Sequence, residues 1–199
     1  MKIYERSKDR EVYRKLRIRI DELGHARELT FSCYQGYRFL QRDRTRRWFV
    51  DAVAESRNAN PVDLWAYVIM PEHVHILLYP REPGMEIGRV VGRIKESVAR
   101  KAIRFLENQA PHWLPRITVT EGKRKRRRFW QPGGGYDRNC IDHKTLQRML
   151  DYIHMNPVRR GLVKRPEDWY WSSARWYAGL HPVPIEMDPT LPVMQDDSR

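Results

Sequence analysis

Two histidines separated by one residue, His73 and His75, lie in a run of β-favouring residues, 73–79. Side chains at i and i+2 of a strand point to the same side of a sheet, about 6–7 Å apart at the backbone, so the two imidazoles can converge on one metal ion. They can equally be a pair of partly buried histidines on a polar sheet face. Tyr152 and Asn156 lie four apart in a segment of helical spacing and therefore share a helix face. That face is distinct from the apolar stripe of Leu146, Met149 and Ile153, so the pattern does not make Tyr152 a packing residue. Asn156 precedes Pro157, which biases it out of the α region and predicts the helix terminus there. Its side-chain oxygen can reach a metal or cap a turn. His154 points away from both and reads as a structural hydrogen-bonding residue.

The elements that must hold these residues follow from periodicity. Residues 64–70 and 73–79 are two β-rich runs joined by Met70-Pro71-Glu72, an antiparallel pair with a tight turn. Residues 29–40 suit a strand or hairpin around Gly36, and Asp43 opens a helix to about residue 57. The longest helix spans about 85–108, with Ile87, Val90, Val91, Ile94, Val98, Ala102 and Phe105 as a core stripe. Another helix covers about 142–155. Residues 111–139 read as irregular. Trp169, Trp171 and Trp176 read as core and tail docking rather than a base-stacking platform. The chain divides into a charged leader (1–28, with the alternation Leu16, Ile18, Ile20), one domain (29–180) and a proline-bearing tail (181–199). Interleaved helices around a tight strand pair favour an α+β fold, a small antiparallel sheet with helices packed on one face.

Charge narrows the partners. Among 199 residues, 38 Lys+Arg stand against 25 Asp+Glu, a formal net charge of +13. Such an excess points to a polyanion, nucleic acid first. No apolar stretch approaches the roughly 20 residues of a bilayer span, and the N-terminus lacks the apolar region of a secretory signal, so no membrane role is expected. Two unpatterned cysteines, Cys33 and Cys140, fit free thiols in a reducing cytoplasm. Six consecutive basic residues, Lys123, Arg124, Lys125, Arg126, Arg127 and Arg128, form either a solvated loop or a clamp on a DNA backbone. Trp130 and Tyr136 interleave aromatic rings with that charge, where unpaired bases could stack. Arg93 and Lys95 on the long helix, and Arg138, are further phosphate candidates.

Val68–Leu78 (VIMPEHVHILL) and Tyr152–Val163 (YIHMNPVRRGLV) together resemble the REP-associated tyrosine transposases, of the single-tyrosine, His-hydrophobic-His superfamily. Leu29–Tyr34 (LTFSCY), Phe129–Asn139 (FWQPGGGYDRN) and Glu167–Tyr177 (EDWYWSSARWY) carry the resemblance over most of the chain. The three glycines and the basic run are not parts of that pattern. The resemblance implies a ferredoxin-like fold whose central strand presents the histidines. It implies His73 and His75 as metal ligands, Asn156 as the third, and Tyr152 as nucleophile. It further implies attack on a single-stranded DNA phosphate, leaving a 5′-phosphotyrosine and a free 3′-OH, at palindromic repeat hairpins of a bacterial chromosome. A phenol of pKa about 10 is a poor nucleophile at neutrality and needs help. Two imidazoles and an amide oxygen leave open coordination positions, which suits Mg2+ or Mn2+ better than a closed zinc cage. Expected besides are a cytoplasmic, nucleoid-associated location and a monomer, with a homodimer as alternative. The rival readings are a non-catalytic DNA-hairpin binding protein derived from a transposase, and a metal hydrolase of small substrates, which the +13 charge disfavours.

Overall fold

The computed structural model describes residues 25–133, 135–140 and 142–192, with the backbone of two short strands nearer the N-terminus. These two, β1 (Lys2–Glu5) and β2 (Arg10–Tyr13), pair antiparallel. The Leu16, Ile18, Ile20 alternation lies outside the described residues. The chain then runs through β3 (Ala26–Ser32), α1 (Asp43–Ala59), β4 (Val62–Ile69), β5 (His73–Pro80) and α2 (Ile87–Gln109). A single helical turn, α3 (Leu114–Ile117), precedes β6 (Thr118–Glu121), β7 (Arg124–Arg127) and β8 (Tyr136–Cys140). The long helix α4 (His143–Arg159) and the short α5 (Ala174–Tyr177) follow.

Four strands form the main sheet in the order β4-β5-β3-β8, every neighbour antiparallel. The succession β3-α1-β4-β5-α2-β8 is ferredoxin-like. Alternation along β5 divides its residues between two faces. Val74, Ile76 and Leu78 pack with Leu29 and Phe31 of β3 against Phe49 and Val53 of α1 and Val90, Ile94 and Val98 of α2. His73, His75 and Leu77 take the opposite face. There α4 lays down Leu146, Met149, Leu150 and Ile153, spaced i, i+3, i+4, i+7, on Ala26, Ala66, Val68 and Leu77. The α+β class holds, with α1 and α2 on one face as expected, and α4 adds a third layer that carries Tyr152 over the histidines.

Two local expectations change, and a third feature gains an explanation. Residues 118–127 are not irregular but a β-hairpin: β6 pairs with β7 through a turn at Gly122, whose φ is +60°. The basic run has no apolar alternation to betray a strand. Helix α4 also continues past Asn156 to Arg159, with Pro157 inside it. Proline there forfeits one bond, to the Ile153 carbonyl. The turn is closed instead by Arg160 N–H on the Asn156 carbonyl (3.1 Å) and Leu162 N–H on the Pro157 carbonyl (2.9 Å), with the proline ring buried. Asn156 is thus a regular helical residue facing inward. Finally, the glycine-rich stretch has a steric reason. Gly135 sits at φ +68°, and a Cβ on it would lie 1.9 Å from the Thr30 carbonyl oxygen, so only glycine lets β8 close onto β3. Gly135→Ala should cost at least about 1–2 kcal/mol from the left-handed backbone alone, before the clash. Urea unfolding and amide exchange at residues 136–140 measure it; unchanged protection there would refute this account.

The tryptophan cluster is core. Trp171 is buried, Trp169 donates to the Ile69 carbonyl (3.1 Å), and Trp176 packs against the same cluster. Beyond it the tail straps the exposed edge of β4. Asp188 exchanges hydrogen bonds with the Leu64 backbone (2.7 and 3.1 Å), and Thr190 accepts from Trp65 Nε1 at 2.9 Å. A covered edge cannot pair with another chain.

Candidate active site

The site is where β5, β3 and α4 face one another. His73 Nε2 and His75 Nε2 are 3.1 Å apart, with ring centroids at 4.9 Å. The Tyr152 ring stands edge-on to His75 at 5.2 Å, 87° between planes, and is 42% exposed. The Arg159 guanidinium lies over that ring, 5.2 Å from its centroid. Asn156 donates its Nδ2 to the Tyr152 carbonyl (3.2 Å), and its side chain is near enough to His73 to favour the protonated imidazole, against the larger effect of burial. The four residues singled out for metal binding and nucleophilic attack therefore come together. His154 turns away, as expected, to Ser173 Oγ at 2.8 Å.

What holds each imidazole explains what it can do. His73 Nδ1 is 3.3 Å from Glu72 Oε1, and the same oxygen takes Arg160 Nη2 at 2.7 Å, tying the β4–β5 turn to the end of α4. His75 Nδ1 lies 2.8 Å from Thr30 Oγ1. A carboxylate on His73 Nδ1 leaves its Nε2 as a lone pair. The Thr30 hydroxyl can donate or accept, so His75 can take either tautomer. With its proton on Nε2 it bonds His73; with its proton on Nδ1, both Nε2 lone pairs face the same point. Burial keeps both rings neutral: it pulls His73 below the usual imidazole range and His75 down to about 3, the latter helped by His73. Two neutral imidazole nitrogens and the amide oxygen of Asn156 are a donor set that a hard or borderline divalent ion accepts. Among the described residues no cluster of three His, Cys, Asp or Glu side chains is arranged to hold a metal. The set is open, unlike a structural zinc cage.

Beside the tyrosine, a cleft of about 510 Å3 runs between β8 and α4, lined by Glu28, Thr30, His75, Tyr136, Arg138, Arg148, Met149 and Tyr152. Tyr136 and Arg138 are thus brought to the site. Glu28, Thr30, Glu72 and Arg148 are absent from the sequence-based set. Glu28 and Thr30 share the inward face of β3 by alternation, and Arg148 precedes Tyr152 by one helical turn. Those spacings were readable once β3 was known to start at Ala26.

Other candidates fall elsewhere. Trp130 is buried, 7% exposed, with Phe31 and Phe129 edge-on to its ring at 5.1 and 4.8 Å and its Nε1 on the Lys95 carbonyl. Its ring is committed to the core and is not a platform for bases. Arg93 and Lys95 belong to α2, on the sheet face opposite the histidines; Lys95 Nζ sits 5.4 Å from the Phe31 ring. The basic residues lie on and beside the β6–β7 hairpin. Arg126 and Arg128 pair with Glu121 and Arg127 with Glu107, whereas Lys123, Arg124 and Lys125 are exposed and make no ion pair among the described residues. The hairpin is rooted at the His73 end of the sheet: Tyr34 N–H bonds the Phe129 carbonyl, Cys33 bridges Trp130, and Ser32 is in register with His73. Cys33 and Cys140 are free and buried. No described helix is long and apolar enough to cross a membrane.

Fold and site together define an α+β protein with a histidine pair on a central strand and a tyrosine-bearing helix laid across it. No family model matches the chain. The chain is similar to a REP-associated tyrosine transposase of Escherichia coli, 28% identical over 137 residues, covering 66% of this chain and 67% of that one. A Haemophilus influenzae protein bearing the same family name is 27% identical over 168 residues, covering 75% of this chain and 84% of the relative. A solved REP-associated tyrosine transposase bound to a REP hairpin shares the fold, with a TM-score of 0.62 and 22% identity, over 93% of this chain and 96% of that one. The resemblance to REP-associated tyrosine transposases read from the sequence is borne out.

Proposed function

We propose that this chain is a DNA strand transferase that binds palindromic repeat hairpins and cuts one strand through Tyr152. The observation that supports it most is the Tyr152 ring set against His75, with the two Nε2 atoms converging beside it and Asn156 one helical turn on. In this reading His73, His75 and Asn156 hold Mg2+ or Mn2+. The ion, when bound, supplies polarisation of a phosphate oxygen. The Tyr152 oxygen attacks phosphorus and gives its proton to water at the open mouth of the cleft. The bond from phosphorus to the 3′ oxygen breaks, and that oxygen picks up a proton to leave as a 3′-OH. The phosphate stays on the tyrosine as a 5′-phosphotyrosine, and a 3′-OH attacking it reverses the step. Arg159, against the tyrosine ring, adds positive charge where the phosphate must sit. The solved relative is bound to a REP hairpin, and in this reading the partner of this chain is a repeat hairpin too, cut in an unpaired segment beside its stem.

Incubating the protein with 3′-labelled single strands from repeats beside its own gene, with Mg2+, Mn2+ or chelator, tests this reading. A covalent protein–DNA band that needs the ion is expected. Binding without any band, on every substrate and metal, would favour the non-catalytic hairpin binder. The exposed cations make a separate claim. If Lys123, Arg124 and Lys125 each neutralise a phosphate, replacing all three with Gln should flatten the plot of log affinity against log salt by roughly 2, at about 0.7 per contact on single strands. An unchanged slope would make the hairpin a solvated surface.

A further inference from the structure

The cleft holds more recognition chemistry than a tyrosine attack requires. Its floor is Glu28, only 4% exposed on the inward face of β3. Among the described residues no hydrogen-bond donor is set against that carboxyl: the His75 Nδ1 is 3.8 Å away and already engaged with Thr30 at 2.8 Å. With only the charge of Arg138 acting on it and no donor among the described residues bonded to it, that carboxyl is open to a ligand that brings donors into the cleft. One wall is β8, where Tyr136 is 50% exposed and Arg138 stands in register with Glu28. The other wall is α4, where Arg148 precedes Tyr152 by one turn. Neither guanidinium lies within salt-bridge distance of a carboxylate among the described residues.

We infer that this cleft is a subsite for one unpaired nucleotide next to the bond Tyr152 attacks, with Tyr136 stacking its base, Arg138 and Arg148 holding its phosphates, and Glu28 reading the base edge. The inference rests on the transferase reading above and adds a determinant of sequence choice. Guanidinium groups match phosphate oxygens, and an exposed phenol ring offers a face to any base. A carboxylate accepts from exocyclic amino groups, which guanine, adenine and cytosine carry and thymine lacks. The buried depth of Glu28 decides for an unpaired base: in a duplex the pairing edge is already used and cannot reach the floor. The cleft therefore takes a nucleotide from the single-stranded flank, not from the hairpin stem.

The adduct assay tests this with substrates altered at each unpaired position beside the cut. One position should be sensitive: an abasic site there should slow adduct formation about tenfold or more, and thymine should be the poorest natural base. Tyr136→Ala, at an exposed residue, should slow the intact substrate by a similar factor yet add little on the abasic one. Glu28→Gln, which gives the floor a donor, should bring thymine level with or above the others, with an unfolding midpoint no lower than wild type. If adduct forms equally with abasic, thymine and natural bases, or if Tyr136→Ala slows both substrates alike, the subsite is refuted while the tyrosine mechanism stands. If wild-type protein forms no adduct on any repeat, both fall together.

Discussion

Tyr152→Phe should bind a repeat hairpin as the wild-type protein does and form no covalent adduct at all. The change removes one oxygen. The ring that stands edge-on to His75 remains, as does the surface that receives the Arg159 guanidinium. Because the side chain is 42% exposed, losing its hydroxyl leaves no buried partner unsatisfied, so stability should stay within about 0.5 kcal/mol. Of the two other hydroxyls that line the cleft, Thr30 Oγ1 is tied to His75 Nδ1 and Tyr136 stands on the β8 wall rather than on α4. Cleavage should fall on the order of a thousandfold or more, the scale on which removing a covalent nucleophile acts. A 3′ label decides the point, because the strand downstream of the cut stays on the tyrosine and shifts the protein band. Residual cleavage by the Phe variant without an adduct would mean that water is the nucleophile, with Tyr152 at most binding the strand.

How much of this was legible in the sequence depends on how each element is stabilised. The strand of His73 and His75 and helix α2 declare themselves because their burial is periodic: alternate residues of β5 face different helices, and α2 has a continuous stripe. The same periodicity places Tyr152 and Asn156 together. Strand β8 reads poorly because it is a polar edge strand, held by main-chain pairing, by Gly135 and by the Arg27–Asp137 ion pair at 2.6 Å rather than by apolar alternation. The β6–β7 hairpin reads poorly for a similar reason, its second strand being wholly basic. Glu28 escaped because its meaning depends on register: opposite Leu77 on one side and Arg138 on the other, it becomes a floor residue only when β3 sits between β5 and β8. Pro157 misled in the opposite direction. The local rule favours a helix end, but burial of the ring and two bonds beyond it carry the helix through.

The second large effect belongs to the histidines. Replacing either His73 or His75 with Ala should abolish cleavage that depends on Mg2+ or Mn2+, and the double variant should be little worse than either single one, because the two act as a unit. The singles should differ in stability. His75 is buried between Thr30 and the Tyr152 ring, so its loss leaves a cavity and strips Thr30 Oγ1 of its partner; His73 lies nearer the surface beside Glu72. His75→Ala should therefore be the less stable protein by about 1–2 kcal/mol, although both lose cleavage equally. Calorimetric titration with Mn2+ separates binding from catalysis: each variant should lose the heat seen with wild type, whereas Tyr152→Phe should keep it. Thr30→Val makes a finer test. It preserves shape and both imidazoles but removes the hydroxyl that can accept a proton from His75 Nδ1, so the tautomer with a free Nε2 lone pair loses its support and affinity for the ion should fall about tenfold or more, the scale of lost outer partners at metal sites. Full ion-dependent cleavage by the double histidine variant would remove the metal from this site. Undiminished Mn2+ affinity in Thr30→Val would show that the tautomer of His75 is set by the ion itself.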